Sequence, residues 1–416
     1  MPEFLIVFGI CAGSFPAYVS DIVVLALGIH ALSTVRKAVP EQRGRFQLVR
    51  DVGLSLLGVS ILLSIILIPA FQSYPKITAE LLFCLCISVF SRSSLIVGGL
   101  VRGLSLTLSV CALIMQHQSI VALRELGLSE LLDFKLTLST FAWGTWPSSS
   151  NLLLLCVWYI CLLVHRSRQP AWFSLNKVVY AITSILLLSV LLLTFSRSVY
   201  YAIVVSAVAT TFGVLAMLTT GSSKNVAWKT IGTPFFMTTA IFVGAMVVSV
   251  TIAGSRDAFI KTLMINKTSS QRRSALGRIS VYKDSLKIQS KPIFGSGIGS
   301  FPIAIDLVRS AKPLSLPVSQ AFSSFLEIYL EQGLFGLVGL TLILVSALWG
   351  TYSRFLSSEL WNDLGYRLPL TMSSIAIPIY IAFNAALFSS IGNSIFTGAL
   401  LGSCMYRSSE TKCVTG

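Results

Sequence analysis

Apolar runs long enough to cross a hydrocarbon core of about 30 Å recur along almost the whole chain. They lie at roughly 52–71, 78–91, 100–116, 150–165, 178–196, 198–218, 232–253, 323–350, 368–386 and 388–406. Of 416 residues, 54% are hydrophobic and 11% are charged. A soluble fold could not cover that much apolar surface, so the chain reads as a polytopic membrane protein. The runs are too long, and too free of alternation, to be strands of a membrane barrel. Helices are the remaining way to satisfy every backbone group in lipid, so the expected class is all-α.

Ahead of these runs, residues 4–34 form one apolar stretch interrupted by Pro16 and Asp21. As a single helix it would measure about 46 Å, too long for a bilayer without strong tilt. Two short spans hinged near Pro16–Asp21 give about twelve spans in all, and a single tilted one gives eleven. Three parts follow: an N-terminal transmembrane bundle over 1–253, a polar loop with short helices over 254–322, and C-terminal spans with a tail over 323–416. No basic segment precedes the first run, so no cleavable signal peptide is expected.

The connections separate by charge. The short loops 35–51, 92–102, 166–177, 219–231 and 351–367, with the tail, carry 16 Lys and Arg residues, which makes them cytoplasmic by the positive-inside rule. With twelve spans both termini are then cytoplasmic, and 117–149 and 254–322 face out. The loop 254–322 holds 11 Lys and Arg against Asp257, Asp284 and Asp306; long loops can be translocated despite such charge. Its basic surface suits either anionic lipid headgroups or an anionic substrate arriving from the membrane. Nucleic acid is excluded as a partner because this segment is extracytoplasmic. Seven of the eight cysteines lie in apolar runs, in no disulfide or metal-ligand spacing.

Within that loop, "GRISVYKDSLKIQSKPIFGSGIGSF" (277–301) is the most informative stretch. Residues 276–290 read as a helix that Ser274 would cap and Pro292 would end. Ile279, Val281, Tyr282, Ser285, Leu286 and Ile288 fill one half of its circumference; Ser280, Lys283, Asp284 and Lys287 fill the other, solvated half. Arg278 falls within the apolar arc. A guanidinium aimed inward needs a partner: a pyrophosphate, whose oxygens its planar fork fits, or an internal carboxylate such as Glu327 or Glu331. The run Gly295-Ser-Gly297-Ile-Gly299 has the wrong spacing for a nucleotide fingerprint and reads as a turn that lets backbone approach a ligand or a helix end. Arg197, in "LTFSRSVYYAI", marks an external hairpin between two spans; charge near the membrane is either functional or an ordinary hairpin tip. Among the external acids, Glu327 and Glu331 stand four apart on one helix face near the outer end of a span. They suit general-base work on an acceptor hydroxyl or structural pairing with an arginine.

These stretches resemble a known family. "SRSVYYAIVVS" resembles the Ser-Arg-Gly-hydrophobic motif of the O-antigen ligase and O-antigen polymerase (Wzy) superfamily. "GRISVYKDSLKIQSKPIFGSGIGSF" resembles its Arg…Trp…Pro-Leu-x-Gly-x-Gly-x-Phe segment, and "FSSFLEIYLEQGLFGLVGL" its His-Asn-x-Phe-Leu-x-x-x-x-Glu-x-Gly-x-x-Gly segment. Order, spacing and sidedness agree over about 190–340. The resemblance implies a metal-independent, GT-C-like membrane glycosyltransferase that needs no cofactor and sits in the bacterial inner membrane. It would use undecaprenyl-pyrophosphate-linked oligosaccharide at the periplasmic face. It also implies that Arg197 and Arg278, with Arg272 and Arg273 nearby, bind the pyrophosphate leaving group. Membrane lipids and a chain-length regulator protein are its expected partners.

The departures point to the reaction. The ligase pattern begins its third motif with His-Asn, where this chain has Phe322 and Ser323; the Gly after the first Arg is Ser198, and the Trp of the second motif is replaced by Tyr282 or a neighbour. The three histidines, His30, His117 and His165, all lie elsewhere; of these, His117 ends a span at the outer face. The leading expectation is therefore a polysaccharide polymerase with Glu327 or Glu331 serving the acceptor hydroxyl. A ligase delivering glycan to lipid A core is the alternative within the class. A transporter or flippase is the alternative outside it, although the chain shows no clear internal repeat.

Overall fold

A computed structural model of the protein describes residues 45–67, 73–92, 147–165, 175–193, 196–220, 241, 243–249, 251, 278–288, 292–309, 321–355, 364–389 and 391–406. The hinge expected at Pro16–Asp21, the span at 100–116, His117, Arg272 and Arg273 lie outside the described residues. Those described are mostly helical, with no strand among them. The helices are α1 (Arg45–Leu67), α2 (Tyr74–Phe90), α3 (Pro147–His165), α4 (Leu175–Leu193), α5 (Arg197–Thr220), α6 (Phe301–Arg309), α7 (Ser324–Phe355), α8 (Leu364–Ala382) and α9 (Ile391–Met405). Eight of them fall on the expected apolar runs; α6 belongs to the polar loop. Within α1 and α7, the segments Phe46–Ile66 and Ser324–Ser353 are long and apolar enough to cross a membrane.

Helices α7, α8 and α9 touch one another and form the middle of the bundle. Against them α1 packs on α7, α2 on α9, α5 on α8, and α3 on both α8 and α9, while α4 lies along α3. Apolar side chains from all these helices merge into one core that includes Leu57, Phe83, Tyr159, Leu187, Ile343, Tyr380 and Phe396. In lipid such contacts depend on close backbone approach and buried hydroxyls rather than on hydrophobicity alone. Gly53 and Gly339 bring α1 and α7 together, and Gly398 brings α9 against the Phe83 carbonyl of α2. The Ser346 hydroxyl donates to the Phe46 carbonyl at 2.7 Å, and Thr351 and Ser374 pair their hydroxyls at 3.1 Å between α7 and α8.

One helix breaks. Gly333 inside α7 has φ 71° and ψ −158°, so the ladder of that helix is interrupted just beyond Glu331. A break frees backbone groups that must find other partners, and the glycine-rich loop supplies them. The Leu330 carbonyl accepts from the Ser296 amide at 2.9 Å, the Glu331 carbonyl from the Gly297 amide at 2.8 Å, and the Leu334 amide donates to the Pro292 carbonyl at 2.9 Å. Gly295, at φ 72°, faces the break so closely that a Cβ would collide with the Glu331 backbone. A Cβ on Gly333 would collide with Ile293. The same loop reaches α1 and α2: the Ile298 amide donates to the Ser64 hydroxyl at 2.8 Å, and the Ser73 amide to the Ile298 carbonyl at 3.2 Å.

The helix expected over 276–290 is helical from 278 to 285 among its described residues and turns away well before Pro292. Its buried side differs from the expectation. Asp284, assigned to the solvated half, is 2% exposed, whereas Ile279 and Leu286, assigned to the inward half, are 49% and 64% exposed. The reason is an ion pair that hydropathy patterning does not see: Arg309 of α6 donates Nε to Asp284 at 3.2 Å, rotating the carboxylate inward. Val281, Phe301, Ile305 and Leu330 close a small apolar cluster around it.

Candidate active site

The polar cluster nearest the break in α7 is built mainly from α2 and α7, with single contacts from α1 and α6. Pro75, in the first turn of α2, suits a helix start, where the missing amide is not needed. One residue later Lys76 points its ammonium at α7, where it pairs with Glu327 and, at 2.6 Å, with Glu331. One turn deeper on α2, Glu80 is fully buried. Gln332 donates Nε2 to Glu80 Oε1 at 2.7 Å, and Ser60 of α1 donates to Gln332 Oε1 at 2.7 Å. The Phe301 amide, at the start of α6, donates to Glu331 Oε1 at 3.4 Å. Side-chain exposure grades across the cluster: 15% for Glu327, 13% for Lys76 and 1% for Glu331.

The short turn before α7 joins this cluster to the arginine. The Ser323 hydroxyl accepts from the Leu326 amide at 3.5 Å and so caps α7, while the Ala321 backbone hydrogen-bonds the Glu327 carboxylate. Between them Phe322 holds φ 58°, the left-handed region that an aromatic residue seldom occupies without outside restraint. Two restraints come from the helical segment 278–285. Tyr282 donates its hydroxyl to the Phe322 carbonyl at 3.1 Å, and the Arg278 guanidinium lies over the Phe322 ring, 5.3 Å from its centroid. Half-burial pushes the Tyr282 phenol above its ordinary range, and the neighbouring Arg278 cation works against that shift.

Of the residues singled out in the sequence, the structure therefore brings Glu327 and Glu331 together on one ammonium, and Arg278 onto Phe322 beside them. The carboxylate partner considered for Arg278 is not its observed contact: among the described residues, both glutamates form their ion pairs with Lys76. Arg197 is the first residue of α5, flanked by Ser196 and Ser198, whose hydroxyls pair at 3.0 Å; its side chain is outside the described set, as are Arg272 and Arg273. Lys76 and Glu80 were missed. Their signal was present, since Glu80 is a carboxylate inside an apolar run with a lysine four residues before it, and intramembrane charges of that kind need partners. Among the described residues, no group of three or more His, Cys, Asp or Glu side chains is arranged to hold a metal ion.

The arrangement sets one cation against an aromatic platform and, in the first turns of the helix that follows, a carboxylate pair fixed by a lysine. Such a site can bind an anionic group and position a proton acceptor next to it. Residues 182–341 match the family model described as O-antigen ligase, a region that contains Arg197, Arg278, Phe322, Glu327 and Glu331 and leaves out Lys76 and Glu80. Enzymes of that family are membrane-integral and glycosyltransferase-like, and their substrates are lipid-linked oligosaccharides. No curated protein matches the chain.

Proposed function

We propose that this chain, whose residues 182–341 match the O-antigen ligase family model, is a surface-polysaccharide polymerase. In this reading, the glycan on one undecaprenyl pyrophosphate moves to the terminal sugar of a second lipid-linked repeat unit, at the periplasmic face of the inner membrane. The carrying observation is the turn 321–323, which presents Arg278 through the Phe322 ring and the Glu327 carboxylate through the Ala321 backbone. Arg278, with Arg197, Arg272 and Arg273, meets the charge that develops on the departing pyrophosphate. Glu327 or Glu331 takes the acceptor proton. No metal is assigned a role, and a chain-length regulator is the expected protein partner.

The residue at position 322 favours polymerase over ligase. The ligase pattern places histidine there, and a phenyl ring can neither accept a proton nor donate a hydrogen bond. In a strain lacking the protein, core lipid capped with a single repeat unit is the expected product, because a separate ligase still works. Core lipid bearing no repeat unit, with polymer stranded on undecaprenyl pyrophosphate, would establish the ligase reading instead, and His117 would then be the first residue to replace. Lipid-linked units trapped on the cytoplasmic side would indicate a flippase.

The proposed sidedness has its own test. Alkaline phosphatase fused at Ser290 should be active and fused at the C-terminus inactive, which requires the loop 254–322 outside and both termini inside. The opposite pattern would overturn the topology and the periplasmic site together.

A further inference from the structure

We infer that Lys76 is a positioning residue that divides the two neighbouring carboxylates into unequal roles, leaving Glu327 to receive the acceptor proton and Glu331 to hold the scaffold. This deepens the polymerase reading and rests on it. An ammonium carries three donors, and here one ammonium spans Glu327 and Glu331. Glu331 is enclosed: its side chain is 1% exposed, Oε1 faces the Phe301 amide at 3.4 Å, and its own carbonyl is taken by Gly297 at 2.8 Å. It fastens α7 to the glycine loop and has no open side for a sugar.

Glu327 differs in both respects. It lies one turn nearer the start of α7, its side chain is 15% exposed, and its carboxylate is tied to the Ala321 backbone beside Phe322, the platform under Arg278. The charged and titratable groups facing it are Lys76 from α2, with Glu80 behind, and Glu331 from α7. Glu80 closes the deep side. Held by Gln332, which Ser60 holds in turn, it anchors that end of the cluster, so the lysine is fixed between α2 and α7.

In the transfer, the acceptor hydroxyl gives its proton to the Glu327 carboxylate while its oxygen forms a bond to the anomeric carbon of the donor. The bond from that carbon to the pyrophosphate oxygen breaks, and its electron pair leaves with the pyrophosphate facing Arg278. Lys76 takes no proton in this step. Ion-paired to both carboxylates, it fixes Glu327 in place and holds it apart from Glu331.

The test uses the full chain in lipid nanodiscs, with repeat units on undecaprenyl pyrophosphate extracted from a strain lacking the protein. Initial rates of polymer formation and protein yield are both measured. Glu327→Gln should lower the rate by about 100-fold or more, the usual size of a lost general base, whereas Glu331→Gln should lower it by about tenfold. Lys76→Arg should keep the rate within about tenfold of wild type, because a guanidinium also spans two carboxylates. Lys76→Met should lose both yield and rate through the uncompensated buried charges. The deciding variant is Lys76→Met combined with Glu331→Gln, which removes a carboxylate along with the cation. Restored yield with a rate still about 100-fold down supports the inference. Restored yield together with restored rate would reduce Lys76 to a structural ion pair and overturn it, as would a larger loss in Glu331→Gln than in Glu327→Gln. Wild-type protein that makes no polymer from this donor would instead remove the polymerase reading beneath it.

Discussion

The Arg278 guanidinium lies over the Phe322 ring, its carbon 5.3 Å from the ring centroid. A cation–π contact engages the charge of a guanidinium without consuming its N–H donors, which suit a planar or tetrahedral anion. The aromatic residue at the position of the ligase histidine thus holds a cation, and in the proposed reading that cation is the one that meets the donor.

Replacing Phe322 separates ring from bulk. Phe322→Leu keeps an apolar side chain but removes the quadrupole, and a contact of about 0.5–2 kcal/mol corresponds to a roughly twofold to thirtyfold weaker donor. Phe322→Trp should retain or improve on wild type. Titrating lipid-linked donor against each variant checks this; equal donor affinity for Leu and Trp would show that the ring plays no part.

Tyr282 gives a pH dependence whose sign is fixed. Its phenol is shifted above the ordinary value of about 10 by half-burial, and its hydroxyl donates to the Phe322 carbonyl. A raised folded-state pKa means that the contribution is fully present below about pH 10 and is lost as pH rises through the higher folded value. Tyr282→Phe should therefore lower thermal stability by about 0.5–1.5 kcal/mol at pH 7, with the gap to wild type closing in strongly alkaline buffer. A difference unchanged up to pH 12 would mean that the hydrogen bond is not the source.

The break in α7 admits only glycine. Gly333→Ala imposes a left-handed φ of 71° on a residue with a side chain and drives its Cβ into Ile293, a strain of at least about 1–3 kcal/mol. Gly295→Ala meets the Glu331 backbone in the same way. Both variants should show lower melting temperatures and reduced yield in detergent, whereas Gly58→Ala, with open space around it, should not. Normal melting of Gly333→Ala would contradict the hydrogen-bonded seam between loop and helix.

Much of this was legible from the sequence. Long apolar runs dictate helices irrespective of context, and eight of the described helices fall on them. Arg278 and the Glu327–Glu331 pair stood out because charged residues beside or within apolar arcs need partners. The partners themselves were not legible. Lys76 lies some 250 positions before Glu327 in the chain, so only the packing of α2 near α7 reveals that it claims both carboxylates. The inward turn of Asp284 likewise depends on Arg309, 25 residues away, and a helical wheel drawn on hydropathy alone sends that carboxylate to solvent. The glycine run was readable as a backbone approach, but its target, the break at Gly333, is a tertiary fact.

The reading of the site as a pyrophosphate-linked polymerase stands or falls on one reconstitution. Purified full-length protein in nanodiscs, supplied with single repeat units on undecaprenyl pyrophosphate and no other acceptor, should produce a ladder of longer lipid-linked glycans. One undecaprenyl pyrophosphate should be released for every unit added, and Arg278→Ala should abolish both products with protein yield unchanged. No ladder from that donor, but transfer of the intact unit once lipid A core is added, would contradict the polymerase account and make the protein a ligase.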